Sequence, residues 1–164
     1  MYQEHFMRRA IEISAQALET KGTEPFGAVV VKDGRIVGEG INRSLEKFDP
    51  TSHGETEAIR DACQRLKTVD LRGCEIYTSC EPCALCVAAM AIAGISKMYY
   101  AANLSQSDAA LQNLPESNRF PIDVSLLRHE CGHTLGARHM PSEQALPDAA
   151  IDVLRAWAAQ QSNG

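Results

Sequence analysis

Two short segments hold the residues best suited to chemistry: Thr51-Ser52-His53-Gly54-Glu55 and, further along, Thr78-Ser79-Cys80-Glu81-Pro82-Cys83-Ala84-Leu85-Cys86. His53, Cys83 and Cys86 supply one imidazole and two thiols, and a catalytic zinc ion takes three such donors while keeping a fourth position open. Cys-x-x-Cys spacing at a helix start lets both sulfurs converge on one ion, and the helix N-terminus favours the thiolate form. Bound zinc lowers the pKa of water to about 7, which brings hydroxide within reach at neutral pH. Glu55, two residues from a ligand, is placed to take the proton and carry it to a leaving group.

Two other uses of the cysteine pair compete with this reading. A purely structural zinc would need a fourth Cys or His, from Cys80, Cys131, His133 or His139, and would leave Glu55 without a role. A thioredoxin-like redox pair would leave His53-x-Glu55 unexplained. Cys131-Gly132-His133 reads as a plain C-terminal loop holding a buried thiol, Cys63 and Cys74 as core residues, and His5 and His129 as surface or helix-face side chains.

The elements that must position these groups follow from periodicity. Phe6, Met7, Ala10, Ile11, Ala17 and Leu18 recur near a helical repeat, predicting an amphipathic helix over 4–20 that ends at Lys21-Gly22. Two β-rich runs around Asp33-Gly34 predict a hairpin with strands near 26–32 and 35–41. After a polar loop, a helix over about 54–67 carries Ala58, Ile59, Ala62 and Leu66 on one face, with His53 and Glu55 at its start. A strand near 74–79 leads into a second helix, about 83–93, with Pro82 in its first turn. That helix is apolar nearly all round, which predicts burial. Gly94 stops it and a strand follows near 97–102. Strand, helix and strand joined by short connections imply a parallel pair and an α/β layered domain. Beyond Asn103 the pattern predicts a short helix over 105–113, a strand or helix from Ile122 to Arg128, and a helix over 148–160 with Ile151, Leu154 and Trp157 inward.

Composition sets the frame. A chain of 164 residues fits one domain, 1–164. Its opening segment is charged, and no apolar run approaches the roughly 18–20 residues of a membrane span, so a soluble, cytoplasmic protein without membrane partner is expected. Six cysteines are then mostly thiols. Sixteen basic against twenty-one acidic side chains give a net charge of −5, which disfavours nucleic acid and suits a small neutral substrate.

The pairing of His-x-Glu with Pro-Cys-x-x-Cys is the signature of zinc deaminases that act on nucleobases. With Pro25-Phe26-Gly27-Ala28-Val29-Val30-Val31, Gly40-Ile41-Asn42 and Asp49-Pro50-Thr51, the chain from Pro25 to Ala102 resembles the cytidine deaminase-like superfamily, and more closely its free-nucleobase branch, the bacterial guanine deaminases. The resemblance implies a three-layer α/β/α fold with a central five-stranded mixed sheet, a Zn2+ cofactor and hydrolytic release of ammonia from a small aminated base. Guanine is the first choice; cytosine or another aminated heterocycle is the alternative. It also implies that Phe26 packs against the substrate ring, where a core aromatic is the plainer reading. Asn42 would hydrogen-bond the base, where a strand-ending turn residue is the plainer reading. The backbone N–H groups beside Gly54 and Cys83 would lie near the substrate. In the guanine branch the C-terminal segment closes a partner's active site. Here residues 129–164, chiefly His129 to Trp157, would do so in a homodimer, with the helix after Cys86 at its surface.

Two segments depart from the guanine branch. It carries an aromatic residue in the helix after the second cysteine and an acidic Phe-Asp-Asp-like segment after the fourth strand, where this chain has Met90-Ala91-Ile92 and Leu114-Pro115-Glu116. His53-Gly54-Glu55 also replaces the commoner His-Ala-Glu, as in fungal-type cytosine deaminases. Glu116, Asp108 and Glu143 are candidates to read the ring edge, each with a solvated surface carboxylate as its plainer reading. Two further readings compete: an editor of tRNA adenosine, which would want a basic C-terminal helix where 148–160 has only Arg155, and a zinc-stabilised binding module without catalysis.

Overall fold

The computed structural model describes residues 1–115, 123–134 and 140–162. Backbone contacts divide the chain into two compact units, Met1–Leu127 and Arg128–Gly164.

In the first unit, α1 (Glu4–Ala15) buries Phe6, Met7, Ala10 and Ile13, and the chain then tightens into a single 3-10 turn at Gln16–Leu18. The hairpin joins β1 (Glu24–Lys32) to β2 (Arg35–Asn42). Its two turn residues have positive φ, 49° at Asp33 and 72° at Gly34. This is the combination that matches the strands' right-handed twist. After a short turn of helix, α2 (Ser44–Lys47), α3 runs over Gly54–Leu66 and stops at a left-handed Lys67. Next come β3 (Glu75–Cys80), α4 (Ala84–Ala93), β4 (Lys97–Ala102) and α5 (Leu104–Leu111).

The sheet order is β2-β1-β3-β4, antiparallel except for the β3–β4 pair that α4 connects. Four strands stand among the described residues, not the five expected. Alternate β1 residues face opposite layers. Ala28 and Val30 pack with α3, α4 and Ile76, while Val29 and Val31 pack with α1, Ile41 and Tyr77. The layers are therefore α/β/α.

Several expectations need correction. Pro82 precedes the first turn of α4, because Cys83 is the N-cap. Burial on α4 is one-sided: Cys86, Met90 and Ala93 are buried, whereas Ile92 is 87% exposed. Its all-round apolar pattern therefore misled, since a helix on one face of a sheet needs only one face covered.

In the remaining segments α6 (Val124–Gly132) and α7 (Pro147–Ser162) are helical. Ile122, Glu116 and His139 lie outside the described residues. Ile151, Leu154 and Trp157 are exposed, not inward. Cys131 is an exposed thiol on α6 and not a buried one in a loop. Among the described residues no helix is long and apolar enough to cross a membrane.

Candidate active site and metal centre

Both chemical segments sit at helix N-termini on one face of the sheet. His53 is the N-cap of α3 and Cys83 the N-cap of α4, with extended backbones, and neither side chain caps its helix. N-caps are ordinarily Ser, Thr, Asp or Asn, whose oxygens bind the free N–H groups of the first turn. Here the two side chains face one another instead. Cys83 Sγ is 3.7 Å from Cys86 Sγ, and His53 Nδ1 is 3.6 and 3.5 Å from the two sulfurs.

These separations permit a direct test of fit to zinc. With Zn–S near 2.3 Å and Zn–N near 2.0–2.1 Å, tetrahedral angles require sulfurs about 3.8 Å apart and each sulfur about 3.5 Å from the nitrogen. The three donors fit, and they define one face of a tetrahedron. No structural fourth donor is gathered with them: among the described residues the cluster is His53, Cys83 and Cys86 alone.

What brings the start of α3 so close to the sheet is the lack of side chains. A Cβ on Gly54 would stand 2.3 Å from the Phe26 carbonyl oxygen, and one on Gly40 would stand 2.3 Å from the Gly54 carbonyl oxygen. Helix and strand backbones thus meet directly.

Glu55 is 5% exposed. Burial pushes its carboxyl well above the usual carboxylate range. The Cys86 thiol donates to Glu55 Oε2 at 3.3 Å, and the Thr78 hydroxyl lies 3.2 Å from Oε1 and 3.0 Å from the Cys80 carbonyl oxygen. A hydroxyl has one hydrogen and a carbonyl only accepts. When Thr78 donates to Cys80, a protonated Glu55 donates to Thr78, so the geometry suits a carboxyl that gains and loses a proton. Between the two thiols the proton is held unequally. The hydrogen bond between the two thiols lowers Cys83 to about 4, and the same bond together with burial raises Cys86. His53 is raised by its hydrogen bond with Cys83, opposed by burial, with smaller help from nearby acidic groups including Glu24.

A cavity of about 490 Å3 opens onto His53, Glu55 and Cys83, a volume suited to a small ligand. Phe26 is half-buried on its wall and absent from the core clusters. Asn42, 4% exposed, ends β2 and also lines it. Of the three ring-reading candidates, Asp108 lines the cavity, Glu143 is an exposed residue of the second unit, and Glu116 lies outside the described residues. Gly54 is buried behind Phe26, at the first turn of α3. Leu85, Leu104 and Leu111 add apolar side chains to the cavity lining.

Sequence reasoning missed two residues. Thr78, 1% exposed, holds Glu55, and its place in a β-rich strand gave no hint of that role. Glu24 lines the cavity and accepts a hydrogen bond from Asn42. Its adjacency to Pro25-Phe26 was the available signal.

The family model for the cytidine and deoxycytidylate deaminase zinc-binding region matches residues 1–102. The guanine deaminase of Bacillus subtilis (strain 168) is 41% identical over 157 residues, 96% of this chain and 94% of that protein. A tRNA-specific adenosine deaminase from Aquifex aeolicus (strain VF5) is also 41% identical, over 102 residues, 62% of this chain and 67% of that one. The solved structure of guanine deaminase from Bacillus subtilis superimposes with a TM-score of 0.81 at 33% identity, covering 97% of this chain and 95% of that chain.

Proposed function

This chain belongs to the zinc-binding cytidine and deoxycytidylate deaminase family and is a zinc-dependent hydrolase, and from that premise we propose that it deaminates guanine. The reaction adds water across the amidine carbon and expels the amino group as ammonia, leaving a carbonyl. Cytosine is the second reading: fungal-type cytosine deaminases share the glycine of His53-Gly54-Glu55, and Met90-Ala91-Ile92 and Leu114-Pro115-Glu116 depart from the guanine branch.

The observation that carries the reading is Glu55, a buried carboxyl beside three donors spaced for one zinc ion. Those donors, His53, Cys83 and Cys86, would hold the ion, which when bound supplies hydroxide at neutral pH. Glu55 takes a proton from the attacking water at its carboxylate oxygen and passes it to the ring nitrogen next to the reacting carbon. It then takes the remaining proton from the added hydroxyl and delivers it to the departing amine as the carbonyl forms. Thr78 keeps that carboxyl aimed. Phe26 and the leucine wall hold the ring flat and exclude water, Asn42 fixes its rotation, and the N–H groups at Gly54 and Cys83 stand close to the reacting edge.

The guanine reading is supported by a likeness that covers 96% of this chain at 41% identity, whereas the tRNA-specific adenosine deaminases match over 60% to 82% of it. The same reading includes a cytoplasmic homodimer in which residues 129–164 cover a partner's site. Its support is the exposed apolar face of α4 and the exposed Ile151, Leu154 and Trp157 of α7.

The test is ammonia release from a panel of guanine, cytosine, adenine and their nucleosides, with the Glu55→Gln chain beside the natural one. Glu55→Gln is expected to keep its zinc and to lose about 10²–10⁴-fold in rate. A near-normal rate in that variant would sink the role of Glu55, and silence on every base would sink the deaminase reading.

A further inference from the structure

Asn42 is buried, so its amide must find partners within the protein. Its Oδ1 accepts from the Ser44 N–H at 2.9 Å and from the Ser44 hydroxyl at 2.8 Å, which uses both lone pairs. Its Nδ2 donates one hydrogen to Glu24 Oε2 at 3.2 Å. Rotating the amide by half a turn would set Nδ2 against the Ser44 N–H and Oδ1 against the Glu24 carboxylate, so two of the three bonds would be lost. Asn42 therefore turns a donor, not an acceptor, toward the cavity.

Glu24 completes the pattern. Its carboxylate can only accept, and among the hydrogens it takes is one from Asn42 Nδ2. Glu24 and Asn42 are cross-strand partners, brought opposite one another by register shifts in the β1–β2 ladder, and both line the cavity. Of the other carboxylates there, Glu81 receives the Leu104 N–H at 3.1 Å, and Asp108 is exposed on α5.

We propose that Glu24 and Asn42 form one acceptor–donor pair that selects a free base over its nucleoside. Asn42 donates to a ring acceptor while Glu24 accepts from a ring N–H one carbon away. That edge is N7 and N9–H in guanine, and O2 and N1–H in cytosine. The hydrogen Glu24 reads is the one a glycosidic bond replaces, so a nucleoside leaves a half-buried carboxylate facing carbon. A site built to bond an N–H rejects an analogue lacking it far more strongly than an apolar pocket rejects an extra methyl group. This rests on the deaminase reading for its substrate, and names the residue that would restrict it.

The experiment compares guanine with 9-methylguanine and cytosine with 1-methylcytosine. Turnover is measured in the natural chain, Glu24→Leu and Glu24→Gln, and equilibrium binding by calorimetry in the same three chains carrying Glu55→Gln. The natural chain is expected to prefer the unmethylated base by about 100-fold or more. Glu24→Leu should weaken the free base by about 100-fold, chiefly through KM, and leave the methylated base within about threefold, so that discrimination collapses. Glu24→Gln, which keeps an acceptor for Asn42, should fall between. Equal losses on both bases would make Glu24 a structural residue and overturn the proposal. If guanine turns over and the preference survives Glu24→Leu, the pair fails and the deaminase reading stands. If no base turns over but binding still shows a preference that depends on Glu24, the deaminase reading fails and the pair stands. Absence of any preference in both measurements overturns the pair.

Discussion

At the scale of single residues, the site is made from side chains diverted from ordinary structural duties. His53 and Cys83 occupy N-cap positions without capping, at a cost of about 0.5–2 kcal/mol each relative to a Ser or Asp. Thr78 gives its hydroxyl to Glu55 and Cys80 in place of solvent. Replacing it with valine keeps the shape and removes the bond. Thr78→Val should retain zinc and lower kcat about tenfold, the equivalent of one hydrogen bond to the carboxyl, and a kcat within twofold of normal would show that Glu55 needs no such support. Gly54 makes a second test. A methyl group there collides with the Phe26 carbonyl oxygen, so Gly54→Ala should cost about 1–3 kcal/mol in urea unfolding and disturb Phe26 together with the metal donors. The donors and Glu55 were legible in the sequence because their spacing has a chemical meaning. Glu24 was not, because its meaning lies in a partner on another strand. Counting back from the Asp33-Gly34 turn would set Glu24 opposite Arg43, and two register shifts in the ladder place it opposite Asn42.

At the scale of elements, periodicity located every strand of the described sheet to within two residues, since alternation reports a half-buried strand and the turn residues mark where it reverses. What periodicity cannot say is which neighbour covers an apolar face. That is why α4 was expected to be buried, and Ile151, Leu154 and Trp157 of α7 to face inward, whereas Ile92 of α4 and those three residues are exposed. Contacts between elements also include a polar tie. Arg9 of α1 donates from Nε and Nη2 to the two carboxylate oxygens of Glu39 on β2, at 2.7 and 3.0 Å. That hydrogen bonding lowers Glu39 below its usual 4.5, against the opposing effect of burial. A lowered acid stabilises the fold above its unfolded-state pKa and ceases to do so as pH falls through its folded value. The Tm gap between the natural chain and Glu39→Gln should therefore be present at pH 6–7, correspond to about 1 kcal/mol at most, and close below the ordinary carboxylate pKa. A gap that persisted or widened in acid would contradict the pairing.

At the scale of the whole molecule, the apolar surface left on α4 is where a second copy is expected. Ile92 is 87% exposed and Val87 43%, beside Met98 at 41% and Tyr100 at 46% on β4. Such patches on otherwise charged proteins mark interaction sites. Ile92→Glu should convert a dimer to a monomer in sedimentation, with the secondary structure unchanged by circular dichroism, and an unchanged sedimentation coefficient would remove α4 from the interface. The direct contact of α3 with Gly38 and Gly40 on β2, and of Gly54 with β1, carries a broader implication. His53 and Glu55 are held by main chain against main chain, whereas the cavity wall is made of side chains such as Phe26, Leu85, Leu104 and Leu111. Substitutions in that wall leave the reacting groups where they are. A lineage built on this framework can exchange one substrate for another by small steps and remain an active catalyst at each of them.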